Sequence, residues 1–157
     1  MVAETIVKIE KLMKETVQNK RSLAWFKLTE FVIRGEKERA LGIYRLLALS
    51  IDNKAFAQQL EGDLLLAFDD PVAEEKYLEA AQLYLEAQQP AIAIAIYEHL
   101  INLVLLLPEQ QSEYKKNKLA EILAKLAQID QDLADKVKET LILATSLDYA
   151  RDEREKI

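Results

Sequence analysis

The 157-residue sequence contains no cysteine, one histidine, three glycines and three prolines. Without cysteine there is no disulfide, no thiol nucleophile and no thiolate metal site. With His99 alone, Ser–His catalysis has one place to occur, and the paired Glu-x-x-His motifs of helical di-metal sites cannot be built. The scarcity of glycine and proline excludes the turn-rich all-β folds and leaves long helices joined by short connections. Dinucleotide fingerprints, phosphate loops and calcium loops are missing as well. Glu75, Glu79 and Glu86 share a helix, and a solvated face is the simpler reading of them. These absences predict a chain with no catalytic, cofactor-binding or metal-binding residues.

Long apolar runs are also scarce. Residues 91–107 come closest, but they are interrupted by Glu98, His99 and Asn102 and fall short of the ~20 apolar residues of a membrane span. No secretory signal pattern opens the chain, so cytoplasmic residence is the default expectation. Net charge is −6, unevenly spread: residues 1–54 carry +4, residues 55–113 carry −10, and residues 114–157 balance. An acidic middle opposes nucleic-acid binding and would suit a basic partner segment. Acids on helices also commonly do no more than solvate an exposed face.

What is present is helical periodicity. Val2, Ile6, Ile9, Met13 and Val17 form one stripe, with Lys8, Lys11 and Lys14 off it, which predicts a helix over 2–18. Ser22 is placed to cap the next helix, and Gly35 to close it in the left-handed conformation. Further helices are expected over 36–51, over 54–68 behind an Asn53 cap, and over 72–87. In the last of these Pro71 belongs to the first turn. Pro90 and Pro108 are expected to start helices over 91–107 and 109–128, and Asp130 or Asp132 a final one running past Leu133, Val137, Leu141 and Leu147. The charged tail from Arg151 is expected to fray. The result is an all-α fold of about eight helices, with neighbours packed antiparallel by short connections. It is organised as one domain: an N-terminal amphipathic helix (1–21), hairpins (22–128) and a C-terminal capping helix (129–157).

A repeat is visible. Leu28, Phe31, Ala40, Tyr44 and Leu47 are followed after 33 or 34 residues by Gly62, Leu65, Ala73, Tyr77 and Ala80. This pattern resembles the tetratricopeptide repeat, a helical hairpin of about 34 residues. A second frame through Tyr77, Ala80, Ala81, Tyr84, Ala93 and Tyr97 fits too and starts one helix later. Lys27 departs from the family pattern, as does the missing proline after Ile51. The resemblance covers residues 22–107 and implies hairpins stacked as a short right-handed solenoid. It implies a groove, lined by the first helix of each pair, that binds a segment of another protein. Trp25, Thr29, Val32, Gln59, Asp63, Leu66, Glu98 and Asn102 are the groove candidates. Trp25 has an alternative place, packed against the first helix. Thr29, Gln59 and Asp63 stand where carboxylate-gripping relatives carry Lys, Arg and Asn, so no carboxylate clamp is expected.

The functional expectation is a non-enzymatic adaptor or scaffold for a protein or peptide segment. Two alternatives stand beside it. The chain also resembles, in length, hairpins and acidity but in no motif, the repeat-containing chaperones of type III secretion systems. It could otherwise be a structural module forming a homodimer through its terminal helices, on the stripes Ile6/Ile9/Met13 and Leu133/Val137/Leu141.

Overall fold

The computed structural model describes residues 2–15 and 21–155, with side chains at 2–11, 23–144 and 153–154. Among the described residues the protein is all-helical, without strands: α1 (Val2–Glu15), α2 (Arg21–Arg34), α3 (Lys37–Ala48), α4 (Lys54–Ala67), α5 (Ala73–Glu86), α6 (Pro90–Leu105), α7 (Ser112–Ile129) and α8 (Gln131–Glu155). A short 3-10 turn, Glu109–Gln111, precedes α7. No single helix is long and apolar enough to cross a membrane. The chain separates into two compact units, Met1–Ile96 and Tyr97–Ile157.

In the first unit, α2 packs on α3, α4 packs on α5, and α1 lies against both α2 and α4. Its core holds Trp25, Leu28, Ala40, Tyr44, Leu47, Leu60, Leu65, Tyr77, Ala80 and Tyr84, all buried. Gly62 has a packing reason. A β-carbon there would stand 3.0 to 3.2 Å from the ring of Tyr77, so only glycine lets α5 approach α4 this closely.

The helix ends follow local chemistry. Asn53 caps α4, its side-chain oxygen accepting from the Phe56 N–H at 3.1 Å. Gly35 takes φ +71° after α2, and the Glu36 N–H reaches back to the Phe31 carbonyl at 2.9 Å. That is the Schellman closure, and α4 and α5 end the same way at Asp69 (φ 54°) and Gln88 (φ 60°), without glycine. Pro71 sits in the turn ahead of α5 and not in its first helical turn. There the Asp70 carboxylate accepts from the Val72 N–H at 2.9 Å. Pro90 does begin α6, whereas Pro108 leads into the 3-10 turn, and α7 starts only at Ser112. Asp130 caps α8, accepting from the Leu133 N–H at 3.0 Å. The side chains of Met13, Val17, Ser22, Leu147 and Arg151 lie outside the described part.

In the second unit, α7 packs on α8. Ile122 and Leu126 of α7 and Ala134 of α8 are buried, while Leu119, Leu123, Leu133, Val137 and Leu141 are only half-buried.

Candidate functional site

The unusual polar chemistry of the first unit gathers on α4. Gln59 and Asp63 are four residues apart and therefore share a helix face. Each receives a tyrosine hydroxyl from α5: Tyr84 donates to Gln59 Oε1 at 3.0 Å, and Tyr77 donates to Asp63 Oδ1 at 2.5 Å. The other carboxylate oxygen of Asp63 pairs with the Lys8 ammonium of α1. Thr5, one turn earlier and itself buried, donates its hydroxyl to the Asp63 carbonyl at 3.2 Å. Ile9 completes the α1 contact face, 1% exposed.

Asp63 is thus clamped from two sides, by α1 and by α5, with its side chain 11% exposed. Burial, and then the nearby Asp63 carboxylate, push the Tyr77 phenol well above its ordinary range. Burial raises Tyr44, Tyr84 and Tyr97 as well, and the Tyr44 hydroxyl donates to the Ala57 carbonyl of α4. Tyr44, Tyr77 and Tyr84 serve as hydrogen-bond donors. They lack the lowered pKa that acid–base chemistry at neutral pH would need.

The candidate residues do not fall on one open surface. Trp25 is 1% and Val32 5% exposed, so both belong to the core of the first unit. Thr29 turns its hydroxyl back onto the Trp25 carbonyl at 3.2 Å, inside its own helix. Gln59 and Asp63 come together under α1 and α5, and Leu66 is half-buried on the next turn of α4. Glu98 and Asn102 are exposed on α6, in the second unit, and His99 between them is half-buried. Among the described residues, no group of three or more His, Asp or Glu side chains is arranged to hold a metal ion.

The residues missed by periodicity are Thr5 and Lys8. The apolar stripe points to Val2 and Ile6 as the packed face of α1, yet Val2 is 39% exposed and Ile6 half-buried. The helix is rotated toward Thr5 and Ile9. The available signal was a basic residue at Lys8 within an N-terminal segment of positive charge, beside an acidic middle. No protein-family model, no curated protein and no solved structure matches the chain.

Proposed function

We propose that this chain is a non-enzymatic, TPR-like adaptor whose α2/α4 face holds an amphipathic helix that sets a lysine on Asp63. The observation that carries the reading is the seat of α1. A helix with a lysine beside an apolar face lies along α2 and α4, buries Thr5 and Ile9, and places Lys8 on Asp63. The pairing of α2 with α3 and of α4 with α5 supports the repeat frame that begins at residue 22. In that frame α2 and α4 are the first helices of their pairs and line the groove. The occupant of that groove is α1, so a partner segment of the same chemistry binds by exchanging with it. Tethering gives α1 a high effective concentration, which sets the threshold a partner must exceed.

The test uses the full chain with α1 unseated by Lys8→Glu and Ile9→Asp. A labelled peptide of residues 2–20 should bind this variant with a dissociation constant on the order of micromolar and bind the unaltered chain far more weakly. A peptide carrying Lys8→Glu should bind about tenfold less well, the scale of a charge-assisted contact. Absence of peptide binding to a variant that circular dichroism shows to be folded would remove the proposal.

A further inference from the structure

Two polar side chains of α1 converge on one residue of α4. Thr5 donates its hydroxyl to the Asp63 carbonyl at 3.2 Å, and Lys8 gives its ammonium to Asp63 Oδ2. A spacing of three residues keeps both on one helix face, and Ile9 beside them is 1% exposed. The other carboxylate oxygen faces α5, where the Tyr77 hydroxyl donates to Oδ1 at 2.5 Å. The two oxygens of Asp63 are therefore divided between two helices. Tyr77 of α5 holds one, and the helix seated on α2 and α4 takes the other.

We infer that this seat selects lysine over arginine, and that Tyr77 is the residue that sets the choice. The partner helix then carries a hydroxyl residue, a lysine three positions on and a large apolar residue directly after it, an assignment that rests on the exchange proposed above. An ammonium is a compact charge that one oxygen satisfies. The Lys8 side chain is 33% exposed, so its remaining donors reach water. A guanidinium binds a carboxylate best as a fork, with two parallel N–H bonds to two oxygens presented on one side. At Asp63 the second oxygen is held from the α5 side by Tyr77. Arginine keeps one bond there and forfeits the gain of the fork. Its larger planar head must also enter a site whose carboxylate side chain is only 11% exposed. The hydroxyl is the second determinant. Thr5 is 1% exposed, so valine matches its shape and brings no donor to the Asp63 carbonyl.

The probe is the labelled peptide of residues 2–20, read on the folded full chain carrying Lys8→Glu and Ile9→Asp. Lys8→Arg in the peptide should weaken binding about fivefold, and Thr5→Val about threefold. Adding Tyr77→Phe to the chain takes the α5 donor from Oδ1 and lets the carboxylate turn both oxygens to the seat. The lysine-to-arginine ratio should then fall to about twofold or less. That ratio is the readout, so any general loss from removing the phenol cancels. Equal binding of the two peptides to the chain with Tyr77 in place overturns the inference, and so does a ratio that Tyr77→Phe leaves unchanged. A second measurement needs no exchange. In the otherwise unaltered chain Lys8→Arg should speed hydrogen exchange of the α1 amides about fivefold, and Tyr77→Phe should remove that difference. Absence of peptide binding with this effect intact removes the exchange reading and upholds the lysine preference. Equal α1 exchange with and without Lys8→Arg removes the preference and leaves the exchange reading standing.

Discussion

The α4–α5 and α7–α8 hairpins are built from similar residues and end differently. Between α4 and α5 a glycine faces an aromatic ring, Gly62 against Tyr77, and the buried phenols of Tyr77 and Tyr84 find acceptors on Asp63 and Gln59. Between α7 and α8 the groove-lining residues nearest the turn include the alanines Ala124, Ala127 and Ala134, with leucines at the margins, and among the described residues no aromatic lines the gap. One hairpin closes and the other leaves a groove. Hydrophobic periodicity is present in both, so periodicity alone does not make a core. A core needs large side chains set against small ones at close-packed density.

The sharpest way to break this comparison is to remove a large side chain from each unit. Trp25→Ala deletes a fully buried indole and should cost about 3–5 kcal/mol. Leu133→Ala in α8 removes a half-buried side chain and should cost about 1 kcal/mol. Thermal unfolding with hydrogen exchange by segment would show the first loss in residues 2–96. Equal losses would mean that the second unit is packed as tightly as the first. The burial of Trp25 also means that Trp25→Ala tests folding before it tests binding.

The two helical glycines sharpen the point. Gly42, exposed on α3, has nothing within 4 Å of an added β-carbon, so Gly42→Ala should stabilise by about 0.5–1 kcal/mol through helix propensity alone. Gly62→Ala gains the same propensity but drives a methyl into the Tyr77 ring, whose hydroxyl is tied to Asp63 and cannot easily retreat. A net loss of about 1–3 kcal/mol is expected in denaturant titration. A stabilising Gly62→Ala would mean that α4 and α5 part at little cost.

Much of this was legible in the sequence. The helical class, the Asn53 cap and the left-handed Gly35 all follow from local chemistry, and of the two aspartates expected to start α8 it is Asp130 that caps it. Illegible parts depended on something distant. Thr5 belongs to the packed face of α1 because its hydroxyl reaches a carbonyl 58 residues away. Asp63 reads as a free acid on a groove until Lys8 and Tyr77 are seen on its two oxygens. The boundary between the units falls inside α6, a continuous apolar helix in which no change of composition marks it.

The polar layer of the first unit can be tested by pH. The phenols of Tyr44, Tyr77 and Tyr84 are raised above their ordinary 10.0, burial being the first cause. A group whose pKa is higher folded than unfolded contributes stability in full below its unfolded value and loses it as pH climbs. The first unit should therefore weaken progressively above about pH 10, where unfolded tyrosines ionise. Tyr77→Phe should cost about 1–2 kcal/mol at neutral pH by removing the donor to Asp63, and should make the alkaline loss shallower. An unchanged alkaline slope in that variant would remove Tyr77 as its source.

The smallest expected effect lies at the turn that joins α4 to α5. Lys37 pairs with Asp70 at 2.7 Å, and together with the Val72 N–H it holds the Asp70 carboxyl below its ordinary 3.8. Here the sign is opposite to that of the tyrosines. The contribution is present above the unfolded value and fades as pH falls through the lowered folded one. Asp70→Asn keeps an acceptor for the Val72 N–H and discards the charge, so it should lose well under 1 kcal/mol at neutral pH, as partly exposed pairs do. It should also remove part of the decline in melting temperature below about pH 4. The closed hairpin then owes its stability to Gly62 and the tyrosines, and its turn contributes only a small acid-sensitive increment. If Asp70→Asn instead costs as much as Gly62→Ala, the turn and not the interlock of ring and glycine separates the closed hairpin from the open one.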